Sequence, residues 1–316
     1  MPSPSSTMNQ SMLLVSLVGE QPIPNLLPLW QFADYAEVQF VASARTLSVA
    51  KQLKAAIEKD AALSHLRVLK TLKVRPYDIG DARKQIAAAL VKYQEQGKTP
   101  HLNLSGGTKL MSLAALQAAY GSGVNLMYVC TEENQIIWLA SDGSEQKRQE
   151  IRVKIQVEQY LNAHGLEIER QPVSPYAAPA PKEGDELEEQ VYLRLMESCR
   201  FDDVRRNVKI CKRNGSKQVR NEVDVVVTYN GRLAVISCKS GNVESESGRE
   251  SYRRAIYELS AISRREAAGI YCGKVLVSSQ AQLPQAVRER AVESGVKLVY
   301  GSELDNVVEH VWHAVN

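Results

Sequence analysis

Apolar runs of strand length alternate with amphipathic stretches from residue 12 to about residue 140. Residues 12–19, MLLVSLVG, lack the polar-apolar alternation of a half-exposed strand, the pattern of a parallel strand covered on both faces. The loop Gly19-Glu-Gln-Pro-Ile-Pro-Asn25 then leads into residues 26–32. The pattern predicts strand over 38–42, helix over 46–58, strand over 66–74 and helix over 81–96. It continues with strand over 101–104, helix over 108–120, and strands near 126–130 and 136–140. Such alternation predicts an open, mainly parallel α/β sheet of Rossmann type.

From Gly143 the pattern changes. Residues 151–165 read as an extended piece and a short helix ended by Gly165, and the proline-rich 171–181 reads as linker. A helix over 184–196 carries Leu187, Val191 and Leu195 on one stripe. Hairpins are predicted around Asn214-Gly215 and Asn230-Gly231. Helix 251–265, strand 275–278, helix 284–294, strand 297–300 and helix 302–315 complete a second sheet flanked by helices. The expected division is 12–145, a linker region 146–182, and 183–316, with roughly the first ten residues loose.

Composition narrows the class. The chain has 316 residues, enough for about two domains at roughly 150 residues each. It is 44% hydrophobic and 24% charged, as soluble globular proteins are. No apolar run reaches the roughly 18 residues of a membrane span, and the N-terminus lacks a secretory signal's positive region, so a cytoplasmic protein without membrane association is expected. Five widely spaced cysteines without a C-x-x-C pair indicate neither a disulfide frame nor a structural zinc site. The net charge of +3 is uninformative, but residues 200–220 hold Arg200, Arg205, Arg206, Lys209, Lys212, Arg213, Lys217 and Arg220. This run either takes up substrate phosphates or guards an edge strand with charge.

Two stretches carry chemistry. Asn103 to Met111, NLSGGTKLM, lies where a strand ends and a helix begins, the place where open α/β sheets bind ligands. Gly106 and Gly107 make either a tight turn or a cradle whose free N–H groups, with Lys109, accept an anion. Neither a Walker A loop nor a dinucleotide fingerprint is present. His101 reads as a strand residue. The second stretch, residues 221–240, places Asp224 on one strand of a hairpin and Lys239 at the end of the other, so that both converge near one end of the sheet. With Glu188 on the preceding helix, they have the makings of a metal-dependent phosphodiester-cleaving site.

NLSGGTKLM and the Gly19–Asn25 loop resemble the ligand-sensing motifs of CARF domains, the CRISPR-associated Rossmann fold. The resemblance implies that two protomers share one cyclic oligoadenylate, with Gln21, Asn25, Asn103, Ser105, Gly106, Gly107, Thr108 and Lys109 at the matching positions. A homodimer would meet a symmetric ring, most simply the tetramer, with a symmetric pair of loops.

The second half resembles the PD-(D/E)xK restriction-endonuclease-like fold, in the branch joined to CARF domains. Glu188, Asp224 and Ser237-Cys238-Lys239 fall on its motif. The resemblance implies catalysis by Glu188, Asp224 and Lys239, with Mg²⁺ or Mn²⁺ held by Glu188, Asp224 and the Cys238 carbonyl. Ser237 stands where that motif has a carboxylate. Glu222, two residues before Asp224 and on the same sheet face, is the expected compensation. The implied function is a cyclic-oligoadenylate-activated nuclease of CRISPR defence acting on DNA, RNA or both. The alternative is a non-catalytic sensor that binds the ring and nucleic acid through a degenerate nuclease domain, and for ligand degradation by the CARF domain itself the sequence offers no catalyst.

Overall fold

The computed structural model describes residues 11–169, 185–214, 217–264, 267–269 and 271–316, with side chains throughout except at 185 and 213–220. The chain divides into two compact units, 1–153 and 154–316.

In the first unit the order is β1 (Met12–Leu17), α1 (Ile23–Gln31), β2 (Tyr35–Ala42), α2 (Leu47–Lys59), β3 (Arg67–Val68), β4 (Leu72–Lys73), α3 (Ile79–Glu95), β5 (Thr99–Asn103) and α4 (Lys109–Ala119). It ends with β6 (Asn125–Cys130), β7 (Gln135–Leu139) and β8 (Glu145–Glu150). The sheet runs β3-β2-β1-β5-β6-β7-β8, and β4 also pairs with β2. Pairing is parallel as far as β6 and antiparallel beyond it. Strand β1 is central, and Leu13, Leu14, Val15 and Leu17 are fully buried, which explains its unbroken apolar run.

The strand expected over 66–74 is two short pieces, because the chain leaves β2 between them and the Gln39 carboxamide donates to Lys70 O instead (3.0 Å). Helix α3 starts two residues earlier than its hydrophobic pattern suggests, since the Asp78 carboxylate accepts from Asp81 N at 2.9 Å and caps it. Strand β8, EQKRQE, was not foreseen: with no apolar residue it has no period to read, and it forms by pairing with β7.

The second unit runs α5 (Val157–Ala163), β9 (Glu167–Ile168), α6 (Asp185–Glu197), β10 (Asp203–Asn214), β11 (Lys217–Tyr229), β12 (Arg232–Lys239), α7 (Glu246–Ile262), β13 (Cys272–Ser278), α8 (Gln285–Glu293), β14 (Lys297–Val299) and α9 (Val307–Val315). Its sheet order is β14-β13-β12-β11-β10-β9. The region expected as linker, 146–182, is divided. Strand β8 completes the first sheet, whereas α5 and β9 join the second unit, where β9 pairs with β10 through Ile168↔Ile210. The rest of that region, 170–182, lies outside the described residues, as do the first ten residues and Gly215 of the expected turn.

The turn at Asn230-Gly231 has φ of 46° and 75°, the left-handed pair that a two-residue hairpin requires, and it joins β11 to β12 as expected. Val225, Val227, Ala234, Ile236 and Cys238 pack with Val191 and Leu195 of α6 and with Val307, Val311 and Val315 of α9. Helix α7 begins at Glu246 rather than near residue 251, capped by Ser245 Oγ accepting from Gly248 N (3.0 Å). The last expected helix is divided into a 3-10 segment, Gly301–Asn306, and α9.

Candidate functional site

In the first unit β1 and β5 are parallel neighbours, with Ser16 opposite Asn103, so their C-terminal ends deliver the loops 19–25 and 104–108 side by side. The approach is close enough to dictate residue type. A Cβ on Gly106 would stand 2.8 Å from Gly19 N and closer still to Leu17 O, and Gly107 has φ +78°. Both positions therefore require glycine. The first turn of α4 follows directly, capped by Thr108 Oγ1, which accepts from Met111 N at 3.2 Å and donates to Pro76 O at 2.7 Å.

The eight residues expected to bind ligand separate into two layers. Asn25 and Asn103 are each 0% exposed and lie beneath the loops. The Asn103 Nδ2 donates to Ser16 Oγ (3.1 Å) and Pro24 O (2.8 Å), while its Oδ1 accepts from Ser105 N (3.0 Å) and Ser105 Oγ (2.6 Å). The Asn25 Nδ2 donates to Ser16 Oγ and Leu17 O, both at 2.7 Å. These amides tie the two loops together. Asn25 Oδ1 has no partner although buried, an acceptor that costs free energy until a donor reaches it. Above them Gln21, Ser105, Gly106, Gly107 and Thr108 are half-buried and Lys109 is exposed.

Sequence reading missed two neighbours of this cradle. The turn preceding α3 is bound to it through Pro76 O, and Arg45 after β2 pairs with Glu20 of the first loop at 2.6 Å. Only the sheet order brings these segments to the same edge, so no local motif announces them. His101 is a packing residue: it is buried, it shares a 2.8 Å hydrogen bond with Tyr35 Oη, and burial pushes its pKa down to about 4.

In the second unit Asp224 and the end of β12 meet as expected. Asp224 Oδ2 accepts from Cys238 N (2.6 Å) and Ser237 Oγ (3.0 Å), and Lys239 Nζ stands 4.0 Å away. Asp224 and Lys239 remain 17% and 28% exposed, so the pair is fixed yet reachable from solvent. Burial raises the Cys238 thiol's pKa, and the Asp224 and Glu188 carboxylates raise it further, so Cys238 is the common neighbour of the two acids. Glu222 is exposed and stands across from Lys209 on β10. Among the described residues no three His, Cys, Asp or Glu side chains gather into a group able to hold an ion. Asp224 and Glu188, the two acids near Cys238, are hard oxygen donors of the kind Mg²⁺ or Mn²⁺ takes, but two carboxylates do not by themselves make a full set.

Arg200 pairs with Glu309 and lies 4.3 Å over the Trp312 ring; Arg206 pairs with Glu189. Arg205 bonds Asp203 at 2.9 Å. Three cations of the basic run are thus committed within the unit. The side chains of Arg213, Lys217 and Arg220 lie outside the described ones.

One chain thus joins a mainly parallel sheet with a glycine-built loop at its strand ends to a second sheet bearing an Asp-Lys hairpin. The chain belongs to the CARF-domain CRISPR nucleases: residues 13–160 match the family model of the Card1 CARF domain, and residues 181–315 that of the Card1-like endonuclease domain. Several solved structures share the fold, three of them as follows. Can2 from Sulfobacillus thermosulfidooxidans, in complex with cyclic tetra-adenylate, is 19% identical with a TM-score of 0.71, over 96% of this chain and 97% of that one. Protein VC1899 from Vibrio cholerae is 15% identical with a TM-score of 0.71, over 96% and 97%. A type III CRISPR defence DNA nuclease activated by cyclic oligoadenylate is 19% identical with a TM-score of 0.57; the match covers 87% of this chain and 47% of that one. No curated protein matches the sequence. Among the described residues no helix is long and apolar enough to cross a membrane.

Proposed function

We propose that the protein is a metal-dependent nuclease of type III CRISPR defence, working in the cytoplasm as a homodimer and switched on by a cyclic oligoadenylate, the tetramer in the first instance. The observation that carries the reading is the presence in one chain of the glycine cradle and of the Asp224–Lys239 pair. Can2, which shares the fold, was solved with cyclic tetra-adenylate bound. In the first unit Gln21, Ser105, Gly106, Gly107, Thr108 and Lys109 contact the ring, and Asn25 and Asn103 hold the contacting loops in place. The first unit, around residues 12–145, serves as sensor and the second, around 183–316, as effector, with β8 belonging to the first and α5 and β9 to the second.

In the effector, Asp224 and Glu188 would hold Mg²⁺ or Mn²⁺ with the Cys238 carbonyl. Such an ion supplies Lewis acidity and a water that gives up its proton at neutral pH. The chain's own residues do the rest. The Cys238 N–H and Ser237 hydroxyl fix the rotamer of Asp224 by bonding its Oδ2. Lys239, held beside this carboxylate, places its charge where negative charge develops on the phosphoryl oxygens. The substrate is DNA, RNA or both.

The test is cleavage of labelled single- and double-stranded DNA and RNA, with and without cyclic tetra-adenylate, in Mg²⁺ and in Mn²⁺. Asp224→Ala, Lys239→Ala and Glu188→Ala should each abolish cleavage and leave ring binding intact. Ring binding by the wild type with no cleavage under any condition would favour the second reading, a sensor with a degenerate nuclease domain. The observation behind it is the serine at 237.

A further inference from the structure

Next in sequence to the proline that the cradle's N-cap threonine bonds is an aromatic residue that the sensor's motifs do not include. Tyr77 is 76% exposed. Its neighbour Pro76 accepts the Thr108 hydroxyl at 2.7 Å, so Tyr77 is one residue from a segment bonded to the N-cap of α4. An aromatic side chain this open to water forgoes the burial that most tyrosines obtain, and here no local packing explains it.

The segment that presents it is held from both sides. Arg75 pairs with Asp78 at 2.8 Å and with Asp81 at 3.4 Å, and Arg75 N donates to Asp81 Oδ2 at 3.0 Å. That backbone bond is the main cause holding the Asp81 carboxyl below its usual range, with the Gln85 amide assisting. Proline at 76 fixes its own φ, and Asp78 caps α3. The turn is therefore ordered in advance while its aromatic face is left open. Among the described residues no hydrogen bond or ring contact engages Tyr77.

Building on the sensor reading above, we infer that Tyr77 is an adenine-stacking residue of the ring-binding site, one base of the ring lying on its face while the phosphates reach the Gly106-Gly107 cradle. A nucleotide presents both a phosphate and a π-face, and the cradle and Tyr77, on a segment bonded to it through Pro76, offer a partner for each. Stacking on an aromatic side chain is sequence-tolerant in itself, but it demands a planar base. Tyr77 thus adds affinity from the base, and the cradle reads the backbone.

The experiment is calorimetric titration of the full chain with cyclic tetra-adenylate, comparing wild type with Tyr77→Ala, Tyr77→Leu, Tyr77→Phe and Tyr77→Trp, each checked for dimer content by sedimentation without ligand. The alanine and leucine variants should bind about 5- to 150-fold more weakly, the range that loss of one stacked base gives. The phenylalanine and tryptophan variants should match wild type. Leucine binding as well as phenylalanine would overturn the inference, since apolar area alone would suffice. So would unchanged affinity in all four, or loss of the dimer in Tyr77→Ala, which would make the ring a contact between copies. If the wild type binds no cyclic oligoadenylate, the sensor reading itself fails and takes this inference with it. Wild-type binding with an indifferent Tyr77 sinks the inference alone.

Discussion

The hydroxyl of Ser237 donates a 3.0 Å hydrogen bond to Oδ2 of Asp224. The residue that departs from the family's carboxylate is therefore not idle: it orients the carboxylate that remains. Glu222, expected to compensate for the missing carboxylate, is exposed, and no acidic group of three forms around Asp224 among the described residues. Partners of this kind are worth about 10- to 100-fold in metal affinity or activity. Single-turnover cleavage by Ser237→Ala, measured across a Mn²⁺ titration, should fall by that factor, with high Mn²⁺ restoring part of it. Glu222→Gln should change the rate little.

Lys239 of the proposed nuclease site is tied in through its main chain. Tyr252 Oη bonds Ser278 Oγ at 2.6 Å and donates to Lys239 O at 3.2 Å, and both side chains are buried. Tyr252→Phe keeps the packing and removes only the hydroxyl. Cleavage at saturating substrate should drop by about tenfold with KM unchanged, because geometry at the reacting centre is lost without loss of binding surface. A matched fall in thermal stability with unaltered kcat would show that the hydroxyl serves folding alone.

At the cradle the predictions separate backbone from charge. Gly106→Ala forces a Cβ against Gly19 N and Leu17 O, so the first unit should lose about 1–3 kcal/mol of stability, read in urea unfolding, and ring binding should fail with it. Lys109→Glu lies on the exposed surface of α4 and should leave stability unchanged, while calorimetry shows ring binding weakened by at least about tenfold.

Stability should also depend on pH through His164. Its Nδ1 hydrogen-bonds Tyr160 O at 2.9 Å, its ring stacks on Tyr160 at 4.3 Å, and its Nε2 is buried without a partner. Burial holds its pKa down to about 4, against an ordinary 6.5. The folded state stays neutral in the window where the unfolded chain takes a proton. The stabilisation is therefore complete above pH 6.5 and is lost as pH falls toward 4, at up to about 1.4 kcal/mol per pH unit. Urea midpoints of wild type and His164→Phe at pH 7.5 and 5 should show a shallower pH dependence in the variant.

Much of this was legible in the sequence, for reasons that can be named. The runs of β1, β11 and β12 are long, apolar and bounded by turn residues, and Gly106-Gly107 and Asn230-Gly231 sit where left-handed or close-packed backbone is needed. Asp224 and Lys239 could be paired because a two-residue turn fixes register. What escaped was set by tertiary contact. Strand β8 owes its pairing to β7, and the two layers of the cradle follow from burial of Asn25 and Asn103, which no spacing reveals. Pro76 reaches Thr108 across 32 positions of sequence. Arg200 and Arg206 look like free cations in a string of letters and are ion-paired in the fold.

The short strand β9 bears on how the effector can be handled apart from the sensor. It covers β10 at Ile210 and Cys211, and the helix before it buries Val157, Tyr160 and Leu161 in the second unit. The endonuclease family match begins only at residue 181. A fragment cut there would leave an uncapped sheet edge and an open apolar face, and such edges recruit other copies of themselves. It should precipitate on expression, whereas a fragment begun at residue 154 keeps its own lining and should remain in solution.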